Sequence, residues 1–442
     1  MPSILWFRRD LRLGDHPALA AAAGDGEVLA CFVLDPRLEA ASGRRRLQFL
    51  GDSLRQLNDD LGGRLLVTRG RPEAQLPGIA REISASSVHV SEDFAPYGRR
   101  RDERVRAALR EVPLVATGSP YLVSPGRVTK DDGSPYQVFT PFLRRWREAG
   151  WRAPAQTGAG SARWIDPAKL SIERAEIPDP GVALDVAPGE RAALRQWKSF
   201  QRNGLASYAA DRDRPDVAGT SRMSAHLKFG TIHPRTMVAG LDLGGDGVRA
   251  YLRELAFRDF YADVLHHRPD SAWRNWNGGF DAIETDTGGE AEVRFEAWKD
   301  GRTGFPFVDA GMRQLRETGF LPNRVRMIVA SFLVKDLHLP WQWGAAWFLD
   351  QLVDGDMANN QHNWQWCAGS GTDAAPYFRV FNPTTQAEKF DPTGDYVRRW
   401  VPELRSVDDP HLRRGKRPPG YPGPIVDHAA ERAEALRRYS SI

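Results

Sequence analysis

Hydrophobic positions in the first quarter of the chain fall into five short continuous runs: Ile4–Phe7, Val28–Leu34, Arg64–Thr68, Val88–Val90 and Leu114–Ala116. Continuous runs, rather than alternating ones, mark strands buried on both faces. Between them the apolar spacing turns helical at His16–Ala23, Gly43–Leu61, Pro72–Ile83 and Tyr97–Arg110. Ser42 is placed to cap the second of these helices, and Gly62-Gly63 to end it. The alternation predicts a five-stranded parallel, doubly wound sheet with helices on both faces. No G-x-G-x-x-G follows the first strand, so a dinucleotide site of that type is unsupported. Ligands on such sheets gather at the carboxyl ends of the strands. That makes the loops Arg8–Arg12, Asp35–Arg46 and Asp93–Arg101 candidates. Arg44-Arg45-Arg46 and Arg99-Arg100-Arg101 read as solvated faces.

Pro, Gly, Ala and Asp dominate residues 119–190, with a short structured piece expected at Tyr136–Trp151. From Arg191 the pattern is helical, most clearly at Arg191–Tyr208, Val248–Leu265, Val308–Thr318, Asn323–Leu337, Trp341–Val353 and Ile425–Tyr439. The expected organisation is an α/β domain at 1–125, a connector at 126–190 and an all-α domain at 191–442. No internal repeat and no low-complexity tail is visible.

One stretch, 354–386, has no simple period. It is crowded with amides, glycines, acids and rings: Asp354, Asp356, Asn359, Asn360, Trp364, Trp366, Tyr377, Phe378 and Phe381. Buried amides and acids need specific partners, and so much aromatic surface is unlike a disordered linker. It reads as an ordered polar loop forming the floor of a site.

Composition narrows the class. Hydrophobic residues are 41% and charged residues 27% of the 442, as in ordinary globular proteins. No run of eighteen apolar residues and no signal-peptide layout is present, so a cytoplasmic protein is expected. Cys31 and Cys367 cannot form a disulfide framework, and no Cys/His cluster has metal spacing. A net charge of +4 does not by itself demand nucleic acid, although arginines gathered on one face would permit it.

Four constellations carry candidate chemistry. Thr220, Ser221, Arg222, Met223 and Ser224 precede an apolar helix, where backbone N–H groups, hydroxyls and a guanidinium would receive phosphate; plain capping by Thr220 or Ser221 is the simpler alternative. Glu254, Phe257, Arg258 and Tyr261 share one helix face, either as a surface Glu254–Arg258 ion pair or as the lining of a pocket for a flat polar ligand. Arg324 and Arg326 interrupt an apolar helix and call for acids, with Asp354 and Asp356 the obvious supply, while Asn323 and Met327 point to a separate face. Trp341, Trp364 and Trp366 are either core residues or a relay of oxidisable rings.

Together Thr220-Ser-Arg-Met-Ser, Glu254 with Arg258, Gly304-Phe-Pro-Phe-Val-Asp-Ala-Gly-Met-Arg, Asn323-Arg-Val-Arg-Met, Asp354-Gly-Asp, Asn359-Asn, Trp364-Gln-Trp and Phe381-Asn-Pro-Thr-Thr-Gln resemble the DNA photolyase/cryptochrome family along nearly the whole chain. The resemblance implies a U-shaped FAD, active when reduced and anionic. Tyr208, Thr220–Ser224, Arg258, Arg326, Asp354, Gly355, Asp356 and the N5-facing Asn360 match positions that hold it. It implies light-driven electron transfer to a pyrimidine dimer in DNA. Glu254 and Asn323 would hydrogen-bond the lesion, Trp366 would stack on it and Met327 would pack against it; Trp364 and Trp341 would relay electrons inward. Arg212, Phe257, Arg258, Tyr261, Arg324, Arg379 and Gln386 complete the DNA-contacting set.

Within the family the chain is most like bacterial class I enzymes that split cyclobutane dimers. Members that repair (6-4) lesions carry histidines at the positions of Asn323 and Met327, and photoreceptor members commonly replace the asparagine at 360. A cryptochrome-type photoreceptor is the alternative reading, and a (6-4) enzyme with His362 as acid/base a third. Three positions depart from the pattern. Phe257 stands where a second lesion-stacking tryptophan is usual. Ala282–Ala291 lacks the relay's outermost tryptophan, for which Trp276, Trp343 or Trp347 could substitute in a relay that could also be shorter. His362-Asn363 replaces a small-residue pair. Phe94-Ala-Pro-Tyr-Gly-Arg-Arg-Arg-Asp-Glu is similar to members with an 8-hydroxy-5-deazaflavin antenna rather than methenyltetrahydrofolate, with Tyr97 and Asp102 lining its pocket. No metal is implied. The expected form is a monomer that works on damaged DNA in the nucleoid.

Overall fold

A computed structural model describes residues 1–376, 379–412 and 417–442. Tyr377 and Phe378 lie outside the described residues. Contacts divide the chain into two compact units: Met1–Asn203 with Ser221–Pro269 and Val353–Asp356, and Gly204–Thr220 with Asp270–Leu352 and Met357–Ile442.

The first unit is built on a parallel sheet. Strands β1 (Ser3–Phe7), β2 (Glu27–Leu34), β3 (Leu65–Arg69), β4 (Ser87–Val90) and β5 (Leu114–Ala116) lie in the order β3-β2-β1-β4-β5. Every pairing is parallel, with Ser3 opposite both Val28 and Ser87. Strand residues alternate between two cores, as a sheet covered on both faces requires. Leu5, Phe7, Ala30 and Phe32 pack to one side with Phe49 and Leu54, while Ile4, Trp6, Leu29 and Cys31 pack to the other with Leu76 and Val105. The connector adds a sixth, two-residue strand, Arg163–Trp164, beside β2. Its length is too short for any pattern to register.

Two local expectations are corrected. Gly43, not Ser42, occupies the N-cap of Arg44–Asp60, and the Ser42 hydroxyl donates to Leu38 O at 2.7 Å. A short helix, Pro36–Ala40, precedes it, and the serine just beyond its end bonds back to that helix. Nor are the arginine triplets purely solvated. Arg46 and Arg101 are buried, and Arg101 bonds Asp102 at 2.8 Å and Asp93 at 3.2 Å. Helix period turned these two inward.

The second unit is helical. Helices Pro306–Thr318, Asn323–Lys335, Trp341–Gln351 and Met357–Ala368 share a core that includes Trp298, Phe307, Phe332, Trp341, Phe348 and Trp364. The stretch 354–386, expected as a loop, therefore contains a regular three-turn helix, followed by a second at Pro383–Phe390. Seven of the twelve residues of Met357–Ala368 are buried and one, Asn363, is exposed, so no clear amphipathic stripe betrays it. Its polar side chains are absorbed by carbonyls: His362 Nδ1 bonds Ala358 O at 2.7 Å and Asn363 Nδ2 bonds Asn359 O at 2.7 Å. No helix among the described residues is long and apolar enough to cross a membrane.

Candidate functional site

In the first unit, the turn 353–356 brings Asp356 against two cations. Arg9 Nη2 lies 2.8 Å and Lys228 Nζ 3.8 Å from its carboxylate. Burial pushes the Lys228 amine down to about 7, and Arg9 acts in the same direction. The sequence offers the acids at 354 and 356 to Arg324 and Arg326; Asp356 meets Arg9 and Lys228, two cations outside that expectation. Arg9 sits in a strand-end loop already singled out as a candidate, but nothing in the sequence pointed to Lys228.

The hydroxyl-rich segment before Ser224–Phe229 does not cap that helix in the expected way. Met223 is the N-cap residue and makes no side-chain capping bond. Ser221 Oγ instead meets Tyr251 Oη at 2.9 Å and accepts from Met223 N at 3.3 Å, while Gln196 Nε2 holds Ser221 O at 2.7 Å. Arg222 adopts a left-handed backbone, φ 53°, which fixes the turn.

Helix Asp246–His267 carries Glu254, Phe257, Arg258 and Tyr261. The Arg258 guanidinium lies 3.7 Å from the Asp259 carboxylate. Arg258 donates to Pro120 O at 2.9 Å and Leu227 O at 3.1 Å and lies 4.6 Å from the Tyr121 ring centre. It ties three segments together, which a surface pair could not do. Phe257 is half-buried, and one of its faces lies parallel to Phe139, with 3.4 Å between centroids and 8° between planes. Arg253 is 5.6 Å and 5.7 Å from the two ring centres, so it lies beside the stack rather than over it. Phe139 belongs to the connector's helix Phe139–Ala149 and had no sequence signal as a site residue.

At the carboxyl end of the sheet, Tyr97 Oη donates to Asp35, and Asp102 accepts from Arg8 at 2.5 Å. Burial and Asp35 raise the Tyr97 hydroxyl to about 12. Arg8 and Arg101 stand 4.7 Å and 5.0 Å from the Trp6 ring centre.

In the second unit, Asn360 has a clear polarity. Its Nδ2 donates to Ala345 O at 3.0 Å and to Gln361 Oε1 at 2.7 Å. Gln361 is held in that orientation because its own Nε2 donates to Ala272 O at 2.7 Å. Both partners of the Asn360 amide nitrogen are acceptors, so its oxygen is the atom left to accept from a ligand N–H.

Asn323 is exposed at the start of helix Asn323–Lys335, and its Nδ2 is 3.8 Å from Met327 Sδ. Helix Met357–Ala368, bearing the half-buried Trp366, is joined there by Cys367 Sγ, 3.8 Å from Met327 O. Arg324 finds its acid in Asp213, at 2.7 Å, and covers Phe390 at 4.4 Å. Arg326 Nε donates to Leu321 O at 2.8 Å. Arg212 stands 5.7 Å from the Tyr208 ring, Arg379 is exposed, and Gln386 is half-exposed on its helix.

Trp364 is buried. Its ring abuts the backbone of Gly344, where any Cβ would collide with it. It touches Phe348 at 5.1 Å and Trp298 at 6.1 Å, both edge to face, and from Trp298 the rings Phe295 and Trp343 follow at 5.8 Å and 5.3 Å. Trp341 starts the same helix as Gly344 and donates its indole N–H to Asn275 Oδ1 at 2.9 Å. His362 is buried, with Nε2 2.9 Å from Ser271 Oγ and Nδ1 on Ala358 O, so both nitrogens are spent internally.

Residues 251–441 match the family model described as the FAD binding domain of DNA photolyase, and residues 3–159 match that of DNA photolyase. A Halobacterium salinarum protein named deoxyribodipyrimidine photo-lyase is 38% identical, covering 99% of this chain and 98% of its own length. The structure of a bacterial class III photolyase from Agrobacterium tumefaciens superposes with a TM-score of 0.89 at 35% identity, over 100% of this chain and 97% of that one. An archaeal photolyase from Sulfolobus tokodaii, solved with two FAD molecules, gives 0.87 at 33% identity, over 100% of each chain.

Proposed function

The chain belongs to the DNA photolyase family, and from that premise we propose that it splits cyclobutane pyrimidine dimers in DNA, driven by light, with FAD as cofactor. When bound and reduced, FAD would supply the light-driven one-electron chemistry that dimer splitting needs. The observation that carries the reading is Asn360. Reduced flavin carries a hydrogen on N5, and Asn360 offers an oxygen with its amide nitrogen already committed to Ala345 and Gln361. An acceptor of fixed orientation favours the reduced ring.

The chain's own residues would divide the remaining work. Tyr208, Thr220–Ser224, Arg258, Arg326 and Asp354–Asp356 would hold the cofactor, with Arg9 and Lys228 keeping Asp356 in place. Glu254 and Asn323 would hydrogen-bond the dimer's polar edges. Trp366, Met327 and Phe257 would pack its apolar faces. The dimer has to leave the duplex for this, and its distorted pairing lowers that cost. Arg212, Arg324 and Arg379, with Gln386, would follow the DNA strand. Electrons for an oxidised cofactor would pass through Trp364, fed from Trp341 or along Trp298 towards Trp343.

A (6-4) chemistry finds no support in His362, whose two nitrogens are both engaged inside the helix packing. For the antenna we propose a deazaflavin at the carboxyl end of the sheet, near Tyr97 and Asp102, and hence class I. The bonds of those residues to Asp35 and Arg8 give that end a fixed, polar lining. The enzyme would act as a monomer on damaged DNA of the cytoplasmic nucleoid. Two experiments test the reading. Holoprotein with reduced FAD should remove dimers from an oligonucleotide only under illumination, and Glu254→Ala should lower the yield per photon absorbed without loss of FAD. The absorption spectrum of the purified holoprotein should show a deazaflavin band; a folate band instead would replace the class I assignment.

A further inference from the structure

Trp341 forms one wall of a cleft of about 210 Å³. Phe280 and Tyr439 also line it, and their rings meet edge to face with centroids 6.0 Å apart. The segment 280–285 supplies much of the rest. This is the region where the family resemblance expects a third relay ring, and residues 282–291 contain no aromatic side chain at all. An opening therefore lies beside Trp341 where a ring would otherwise continue the path.

The lining says what could fill it. Three aromatic walls suit a flat ring. Two hydrogen-bond acceptors are left over. Asp281 accepts from Asn275 Nδ2 at 2.7 Å through Oδ1 alone, and Ser370 Oγ, 1% exposed, has no partner. Asp281, Glu284 and Arg438 all line the cleft, and Arg438 is already paired with Asp286 and Glu434 at 2.7 Å each, so no net positive charge is offered to an anion. A neutral ring bearing one hydroxyl fits them: its O–H can donate to Asp281 and its oxygen can accept from the Ser370 O–H.

We propose that this cleft binds a small neutral phenol, which returns an electron to Trp341 after Trp341 has been oxidised. The proposal rests on the relay reading above. The phenol gives one electron to the indole radical cation and its hydroxyl proton to the Asp281 carboxylate, from which it passes to water. Trp341 regains its closed shell, and the phenol leaves as a phenoxyl radical. In this account a diffusible donor takes the place of a missing side chain.

The test uses holoprotein and 4-ethylphenol. In the dark, saturation-transfer NMR should show the phenol ring bound, and Ile283→Trp, whose indole would fill the cleft, should abolish the signal while retaining FAD. Under illumination the rate of FAD photoreduction should rise to saturation with phenol, and Trp341→Phe should lose that saturating component. Asp281→Asn, a change on an exposed loop, should bind the phenol in the dark but lower the saturated rate. A linear dependence with equal slope in wild type and Trp341→Phe overturns the cleft proposal, as does dark binding that survives Ile283→Trp. Failure of every donor, a thiol included, to support photoreduction overturns the relay reading itself.

Discussion

At the scale of single residues, Asn360 and the Phe139–Phe257 pair carry most of the argument. If Asn360 accepts from the reduced cofactor, Asn360→Leu removes one neutral hydrogen bond from that form only. That is worth about 1 kcal/mol, and it should appear as a lowered flavin reduction potential with FAD content unchanged. An unchanged potential would place the asparagine elsewhere. Phe257 was read from sequence as a poorer platform than tryptophan, because a phenyl ring has less area. The structure adds that Phe139 backs one face completely, so the ring is held flat without an indole's size. Phe257→Trp should tighten binding of dimer-containing DNA, since a base stacked on an aromatic ring contributes about 1–3 kcal/mol and gains with area. Phe139→Leu should weaken the same binding by loosening the platform. Unaltered affinity in both would show that the pair does not meet the lesion.

At the scale of elements, the helix Met357–Ala368 is the instructive one. Its residues were legible as site material, yet its secondary structure was not. A mostly buried helix that buries polar residues as well as apolar ones has no clear polar stripe, and its amides are satisfied by an i−4 carbonyl and by Ala345 and Gln361. The buried parallel strands were the opposite case. Their continuous apolar runs could be nothing else, and the boundaries fell within one residue or so. Partners from distant sequence were invisible: Asp213 for Arg324, Lys228 for Asp356, Phe139 for Phe257. Helix–helix contact also makes a sharp demand at Gly344. Gly344→Ala should cost roughly 1–3 kcal/mol, the usual penalty of overpacking, and by displacing Trp364 should slow photoreduction as Trp364→Phe does. A second test concerns Lys335, buried in helix Asn323–Lys335 with Nζ on Arg379 O at 2.8 Å. Burial lowers its amine from 10.5 to about 8. Between those values the unfolded chain binds the extra proton, so stability attributable to this group rises with pH across that window. Lys335→Met should remove that rise, which is at most about 1.4 kcal/mol per pH unit, in chemical denaturation at pH 8 to 10.5.

At the scale of the whole molecule, a net charge of +4 with 61 basic and 57 acidic side chains is almost balanced. DNA binding therefore has to come from placement of a few arginines, not from bulk charge. Affinity for dimer-containing duplex should fall steeply with salt, log Kd changing by about 0.9 per unit of log salt for each phosphate contacted. Arg324→Ala and Arg379→Ala should each reduce that slope if they contact phosphate. The central claim is light-driven dimer repair, and one measurement tests it most directly. Dimers remaining in a defined oligonucleotide are counted after illumination of holoprotein whose FAD is fully reduced, against an identical sample kept dark. The account predicts loss of dimers and recovery of intact pyrimidines only in the light. Dimers that persist in the light, with reduced FAD and bound DNA both verified, would contradict it.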